Sequence, residues 1–387
     1  MARRPAKLRP TTPYARVLRQ ACAALVLALG AGCGHNTGPI LIGIAGPFGE
    51  ARGRSMLLAA RLAVAEVNQA GGVRGRQLAL VEADDSASSA RAIAVAQRLY
   101  DTSVVAVIGH LTSGATIAAV DIYNGGRTPV VAISPSASNP DLSGAGPYFF
   151  RVCATDLAHG AALARFAVQR LGANHAAVLY LNDDYGRGIL GTFSDEYLAQ
   201  SGTIVEADPV LPTTTDLGPY LERIQRDGRA RVIMVAGDRA TGVAVLRQAR
   251  ARGIMLPVIG GDGLAGIQSE GAIAEGVHIT SNYLPERAGD RNAAFLAAYA
   301  AANRGETPDH RGAGAYDAVH LIADAIRDGG VSRRRVRLAL ARLDGIDRPA
   351  FDGVTGRIAF DEQGDVVNKS VLIGVVRGGR LTPAEDR

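Results

Sequence analysis

The chain has 387 residues, 47% of them hydrophobic and 20% charged, a globular composition long enough for about two domains. Its formal net charge of +5 invites a nucleic-acid reading, but Arg3, Arg4, Lys7, Arg9, Arg16 and Arg19 lie in the first 33 residues with no acidic residue among them. The remainder is therefore near neutral, its arginines are scattered, and no tryptophan offers a stacking surface, so nucleic-acid binding is set aside.

The first 33 residues read as a sorting signal. A basic stretch ends at Arg19, an apolar run spans 21–29, and Gly30, Ala31 and Gly32 precede Cys33. A membrane helix needs about 20 apolar residues, so this run fits the core of a signal peptide instead. The end of the segment resembles a bacterial lipoprotein cleavage box, in which the cysteine is lipidated. Leucine usually stands three residues before that cysteine; here Gly30 does, and the leucine is Leu29. Cys22 belongs to the leader, which leaves Cys153 alone in the body, without a partner for a disulfide or a metal cage.

From residue 40 the chain alternates strand-like and helix-like runs. Ile40, Leu41, Ile42 and Ile44 predict a strand, and Ser55 is placed to cap a helix over 56–70 that Gly71 and Gly72 end. Strands follow at 78–81, 104–108 and 130–133, with helices at 88–100 and 113–123 between them. After Arg151 the pattern restarts: helices at 158–171, 188–200, 217–226 and 241–252 alternate with strands at 177–181, 203–206, 232–235 and 257–259. Helices at 292–303, 314–327 and 333–343 come next, then strands at 356–360 and 371–376. This βαβ grammar implies two doubly wound parallel sheets with helices on both faces, and so an α/β protein of two lobes with a cleft between them.

In open α/β sheets ligands bind beyond the carboxyl ends of strands, beside helix N-termini, so those residues carry the functional argument. Behind the strand at 104–108 stand Gly109, His110, Leu111, Thr112, Ser113 and Gly114. Free backbone N–H groups and the Ser113 hydroxyl there suit a carboxylate, and the same serine is equally placed to cap its own helix. Behind 130–133 come Ser134, Pro135, Ser136, Ala137, Ser138, Asn139 and Pro140, a stiff polar loop fit to meet an ammonium group or part of a carboxylate, or to serve as a surface turn. Tyr185 follows the strand at 177–181, Asp238 the strand at 232–235, and Asp262 the strand at 257–259. A tyrosine ring can lie against a ligand, and a carboxylate between glycines suits a ligand ammonium.

Enzyme signatures are missing: the chain has no G-x-S-x-G elbow, no P-loop and no H-E-x-x-H, and its seven histidines are dispersed without metal-ligand spacing. Residues 261–266 match G-x-G-x-x-G, but the motif stands late in the chain without its expected acidic partner, which argues against a dinucleotide. No cofactor and no metal are implied.

The runs Gly71-Gly72-Val73-Arg74-Gly75-Arg76, Asp84-Asp85, Val107-Ile108-Gly109-His110-Leu111, Asp183-Asp184-Tyr185-Gly186-Arg187-Gly188, Leu246-Arg247-Gln248-Ala249-Arg250 and Gly356-Arg357-Ile358-Ala359-Phe360-Asp361 are specific in their order and spacing. Together they resemble the periplasmic binding proteins of branched-chain amino acid ABC transporters, in the larger type I binding-protein fold. The resemblance implies two lobes joined by three crossovers, with residues 39–154 plus 285–348 in the first lobe and 155–284 plus 349–387 in the second. It implies that Ser113, beside Thr112, and the loop of Ser136, Ala137 and Ser138 hold a ligand's α-carboxylate and α-ammonium. Tyr185 then closes over the ligand from the second lobe, and Asp262 takes the ammonium. Asp238 stands where the family often has an aromatic residue, and Arg52 falls near the ligand side chain, so the specificity pocket is expected to be polar. Ala87 and Thr112 occupy the positions of a disulfide that some members have. The implied partners are an amino acid or similar small polar solute, an ABC permease with its ATPase, and the membrane through a lipid on Cys33. A ligand sensor of the same fold, signalling to a membrane kinase, has the same cleft, and a nicotinamide-dependent oxidoreductase is the remote third reading.

Overall fold

The computed structural model describes residues 38–286 and 289–384, so the leader and Cys33 lie outside the described residues. The chain from Ile40 onward forms one compact unit. The first lobe is built on a parallel sheet of β1 (Ile40–Gly46), β2 (Leu78–Asp84), β3 (Ala106–Ile108), β4 (Val131–Ser134) and β5 (Phe149–Arg151), in the spatial order β2-β1-β3-β4-β5. Its helices are α1 (Ala51–Gln69), α2 (Ser89–Asp101) and α3 (Ser113–Asn124).

Strand periodicity explains how this sheet is held. Ile40, Ile42, Ile44, Ala106, Ile108, Val131 and Ile133 point to one face and pack with α1. Ala45, Val107 and Ala132 point to the other and pack with α2 and α3. Each fully buried valine or isoleucine of this kind contributes about 1.5–3 kcal/mol.

The second lobe follows through α4 (Asp156–Arg165), which runs into one π-helical turn over Phe166–Arg170. Its strands are β6 (His175–Leu181), β7 (Thr203–Val210), β8 (Val232–Ala236), β9 (Val258–Gly260) and β10 (His278–Ser281). Between them lie α5 (Asp184–Ala199), α6 (Gly218–Asp227) and α7 (Arg239–Ala251). The same alternation holds: Ala177, Leu179, Ile233 and Val235 face α6 and α7. Ala176, Val178, Val232 and Met234 face α4 and α5.

The chain then returns to the first lobe with α8 (Asp290–Ala302), α9 (His310–Gly329) and α10 (Arg333–Leu340). Helix α9 packs along α1 and is buried along most of its length. A short hairpin of β11 (Phe351–Gly353) and β12 (Gly356–Ile358) follows. The last strands, β13 (Leu372–Arg377) and β14 (Arg380–Pro383), join the second sheet as an antiparallel pair on the free side of β10, in the order β14-β13-β10-β9-β8-β6-β7. The second sheet is therefore parallel at its centre and antiparallel at one edge.

The third boundary lies later than the sequence reading put it. Residues 349–366 were expected in the second lobe, yet Ile358, Phe360 and Val366 complete the core of the first. Arg151 shows why: it is fully buried, its Nε donates to Asp365 Oδ1 at 2.5 Å, and its backbone N–H donates to the Gly364 carbonyl at 3.0 Å. This ion pair ties the segment to the end of β5. No helix among the described residues is long and apolar enough to cross a membrane.

Candidate functional site

A cavity of about 450 Å³ lies between the lobes. It opens beside a wider groove of about 680 Å³ that shares Arg52, Asp238 and Arg311 with it.

The first lobe contributes the N-terminus of α3. Thr112, not Ser113, occupies the cap position and supplies no side-chain cap, so the first-turn N–H groups face the cavity region without that partner. Ser113 is the first helical residue; it is buried at the cavity wall, and its Oγ accepts from the Asn139 N–H at 3.4 Å. The following loop is shaped by Ser134, whose hydroxyl donates to the His110 carbonyl at 2.7 Å and accepts from the Ala137 N–H at 2.9 Å. Ser136 reaches the cavity. Ala137 and Ser138 do not: both are fully buried behind the wall, with the Ala137 carbonyl accepting from Arg151 and the Ser138 carbonyl from the Asp156 N–H. The Ser134 turn, closed by the bond from the Ala137 N–H, folds this stretch of the loop inward.

The second lobe contributes helix starts. Asp183 caps α5 by accepting from the Gly186 N–H at 2.7 Å, which puts Tyr185 in the first helical turn. The Tyr185 hydroxyl donates to Asp262 Oδ1 at 3.0 Å and accepts from the Gly263 N–H at 2.9 Å. Asp238 caps α7, with its Oδ1 accepting from the Thr241 N–H and hydroxyl, both at 2.9 Å, while still lining the cavity. Arg52 lines it too, paired with Glu50 at 2.7 Å.

Three residues that the sequence reading left without a role meet at Asp262. Asp309 caps α9, so His310 and Arg311 form its first turn. His310 Nε2 lies 3.3 Å from Asp262 Oδ2 and 3.3 Å from Ser136 Oγ. The Arg311 guanidinium pairs with Asp309 at 2.8 Å and donates to the Asp262 carbonyl at 3.1 Å. From the second lobe, His159 Nε2 stands 3.9 Å from Asp262 Oδ2. Asn139 adds a further bridge between lobes, donating to the Asp184 carbonyl at 2.5 Å. A signal for His310 and Arg311 was present: they directly follow an aspartate able to cap a helix.

A family model for periplasmic binding proteins matches residues 39–380. The leucine-specific-binding protein of Salmonella typhimurium is 28% identical over 313 residues, 79% of this chain and 82% of that protein. The branched-chain amino acid transporter substrate-binding protein LivJ of Streptococcus pneumoniae, solved in complex with isoleucine, is 30% identical with a TM-score of 0.80, covering 89% of this chain and 97% of that one. The leucine-binding protein LivK of Thermotoga maritima is 25% identical with a TM-score of 0.82, covering 89% and 98%. This chain belongs to the periplasmic binding protein family.

It is a solute-binding protein of the branched-chain amino acid ABC transporter type, a family of receptors and not of enzymes. Residues 261–266 accordingly build no nucleotide site. Asp262–Leu264 is a single 3₁₀ turn and Ile267–Ala274 is also 3₁₀, so no long helix starts there to face a phosphate.

The electrostatics of this binding protein's cleft follow from burial. Burial alone raises the Asp262 carboxyl, but His159, His310 and Arg311 outweigh it and hold the group below the usual carboxylate range. Asp156 lacks such partners: neither of its buried oxygens finds a well-formed hydrogen bond, nor does Ser138 Oγ. Burial and the Asp262 charge push the Asp156 carboxyl well up, against a smaller pull from Ser138 and Arg151. Burial also lowers His159 and pushes the Cys153 thiol up to about 12, which makes that cysteine an inert core residue. His110 is structural. Its Nδ1 lies 2.6 Å from Asp85 and its Nε2 3.0 Å from the Tyr123 hydroxyl, all buried. This network pins together the loops that carry Ala87 and Thr112.

Proposed function

We propose that the chain is an exported receptor that captures a small carboxylate-bearing solute, an amino acid or similar, between its lobes and delivers it to an ABC permease and its ATPase. The observation that carries this reading is the cavity lined from both lobes, with Ser113, Ser136 and the start of α3 on one side and Tyr185 and Asp262 on the other. Helix N–H groups and hydroxyls suit a carboxylate. Closure of the two lobes around the solute forms the shape a permease recognises, and the solute drives closure through its higher affinity for the closed state.

The Salmonella relative is leucine-specific, and the Streptococcus one was solved with isoleucine. Here Asp183, Asp184, Asp238 and Arg52 line the cavity, and charges facing a leucine side chain are costly. That composition favours a solute with a polar remainder. A thermal-shift screen of amino acids and small organic acids tests the reading. A true ligand at about 100 times its Kd stabilises the protein by about 2.7 kcal/mol. A screen without any shift contradicts it.

We further propose that Cys33 carries a lipid that holds the receptor at the membrane. The lipoprotein-like run 30–33 supports this. Cys33→Ser is then expected to move the protein from the membrane fraction to the soluble one. Retention of the variant at the membrane contradicts it.

A further inference from the structure

The two halves of the cleft differ in what they leave open. On the carboxylate side, the start of α3 has no side-chain cap, and Ser113 and Ser136 border the cavity. On the Asp262 side the acceptor is already engaged. Oδ1 takes the Tyr185 hydroxyl, Oδ2 faces His310 at 3.3 Å and His159 at 3.9 Å, and Arg311 holds the backbone carbonyl. Asp262 is left 2% exposed. A ligand ammonium brings a positive charge and three donors, and it needs acceptor oxygens that are free to receive them. At this site it meets histidine and arginine instead.

His310 is the decisive residue because the first lobe brings it across the cleft to Asp262. Its place is fixed. It sits on the first turn of α9, whose cap Asp309 accepts from the Arg311 and Gly312 N–H groups, both at 3.1 Å. Its Nδ1 is buried without a hydrogen bond, so Nε2 carries the ring's contacts, to Asp262 and to Ser136.

We propose that His310 is a specificity-determining residue that fills the ammonium subsite from within, so that the cleft takes carboxylates lacking an α-ammonium, the keto and hydroxy acids, in preference to the matching amino acids. This rests on the reading that the interlobe cleft binds a small carboxylate-bearing solute. The ligand is then an organic acid whose carboxylate meets α3 and whose neighbouring carbon carries no ammonium, because the Asp262 oxygens that would accept one are already engaged by Tyr185 and His310.

The test is calorimetric titration of the purified protein with matched pairs: leucine, phenylalanine and glutamate, each beside its own keto acid. In the pair that binds most tightly, the keto acid is expected to bind on the order of tenfold tighter or more. Tighter binding of the amino acid in that pair, or equal binding, overturns the proposal and leaves the receptor reading standing. Binding of no member of any pair overturns both. His310→Ala uncovers Asp262 Oδ2 and is expected to shift the preference toward the amino acid. His310→Gln keeps an N–H donor near the same place and is expected to retain the preference for the keto acid. An unchanged preference in a folded His310→Ala protein also overturns the assignment, and the wild-type comparison decides if that variant does not fold.

Discussion

At the scale of single residues, two aspartates 106 positions apart in the chain share one buried site and are driven in opposite directions. Asp262 is held below the usual range by His159, His310 and Arg311, despite its burial. Asp156 is pushed well up by burial and by Asp262 itself. A carboxyl raised in the folded state takes up a proton on folding, so it lowers stability as pH rises from its unfolded value, about 3.9, toward its folded one. Asp156→Asn removes that titration. Thermal melts at several pH values from about 4 to neutrality are therefore expected to show the variant gaining on the wild type as pH rises. Parallel curves contradict the shift. Asp262 acts in a different window: its depressed value supports stability above about pH 4, and that support is lost as pH falls further.

At the scale of elements, the site is assembled mainly from helix starts, and this explains what was and was not legible. The alternation of strands and helices could be read because each sheet buries both faces, and runs such as Val232–Ala236 are continuously apolar. Helix beginnings were read late. The apolar pattern placed three of them at 188, 241 and 314, whereas α5, α7 and α9 begin at Asp184, Arg239 and His310. In each case the first turn follows an aspartate cap and is partly polar, so apolar periodicity does not mark it. Tyr185, Asp238 and Asp262 were reached from the strand ends instead, and the structure brings them together at the cavity. His310 and Arg311 were missed for the same reason that their helix was begun too late. Two of the unread strands have a matching cause. β10 is His-Ile-Thr-Ser and β14 is Arg-Leu-Thr-Pro, neither with an apolar run, and both are held in place by pairing with β13. Helix α1 was also begun too late, here because a polar residue inside it was taken for its cap. Ser55 was expected to cap it, yet the helix begins at Ala51, and the Ser55 hydroxyl donates to Asp309 at 2.8 Å.

At the scale of the whole molecule, polar bridges across the cleft include Asn139 to the Asp184 carbonyl, His310 to Asp262, and Arg311 to the carbonyls of Asp262 and Gly263. These bridges border the same cavity that Ser113 and Tyr185 line from opposite lobes. Closure and binding are then one event, and a ligand held by both lobes is lost when either side is cut back. The account's central claim is that the solute sits between the lobes and is held by both. The most direct test is calorimetric titration of the strongest ligand from the screen into Ser113→Ala and Tyr185→Ala, each checked for an intact fold by its melting curve. Both variants are predicted to lose affinity by on the order of tenfold or more, a change of about 1.4 kcal/mol or greater. Wild-type affinity in either folded variant would place the ligand on one lobe alone and contradict the account.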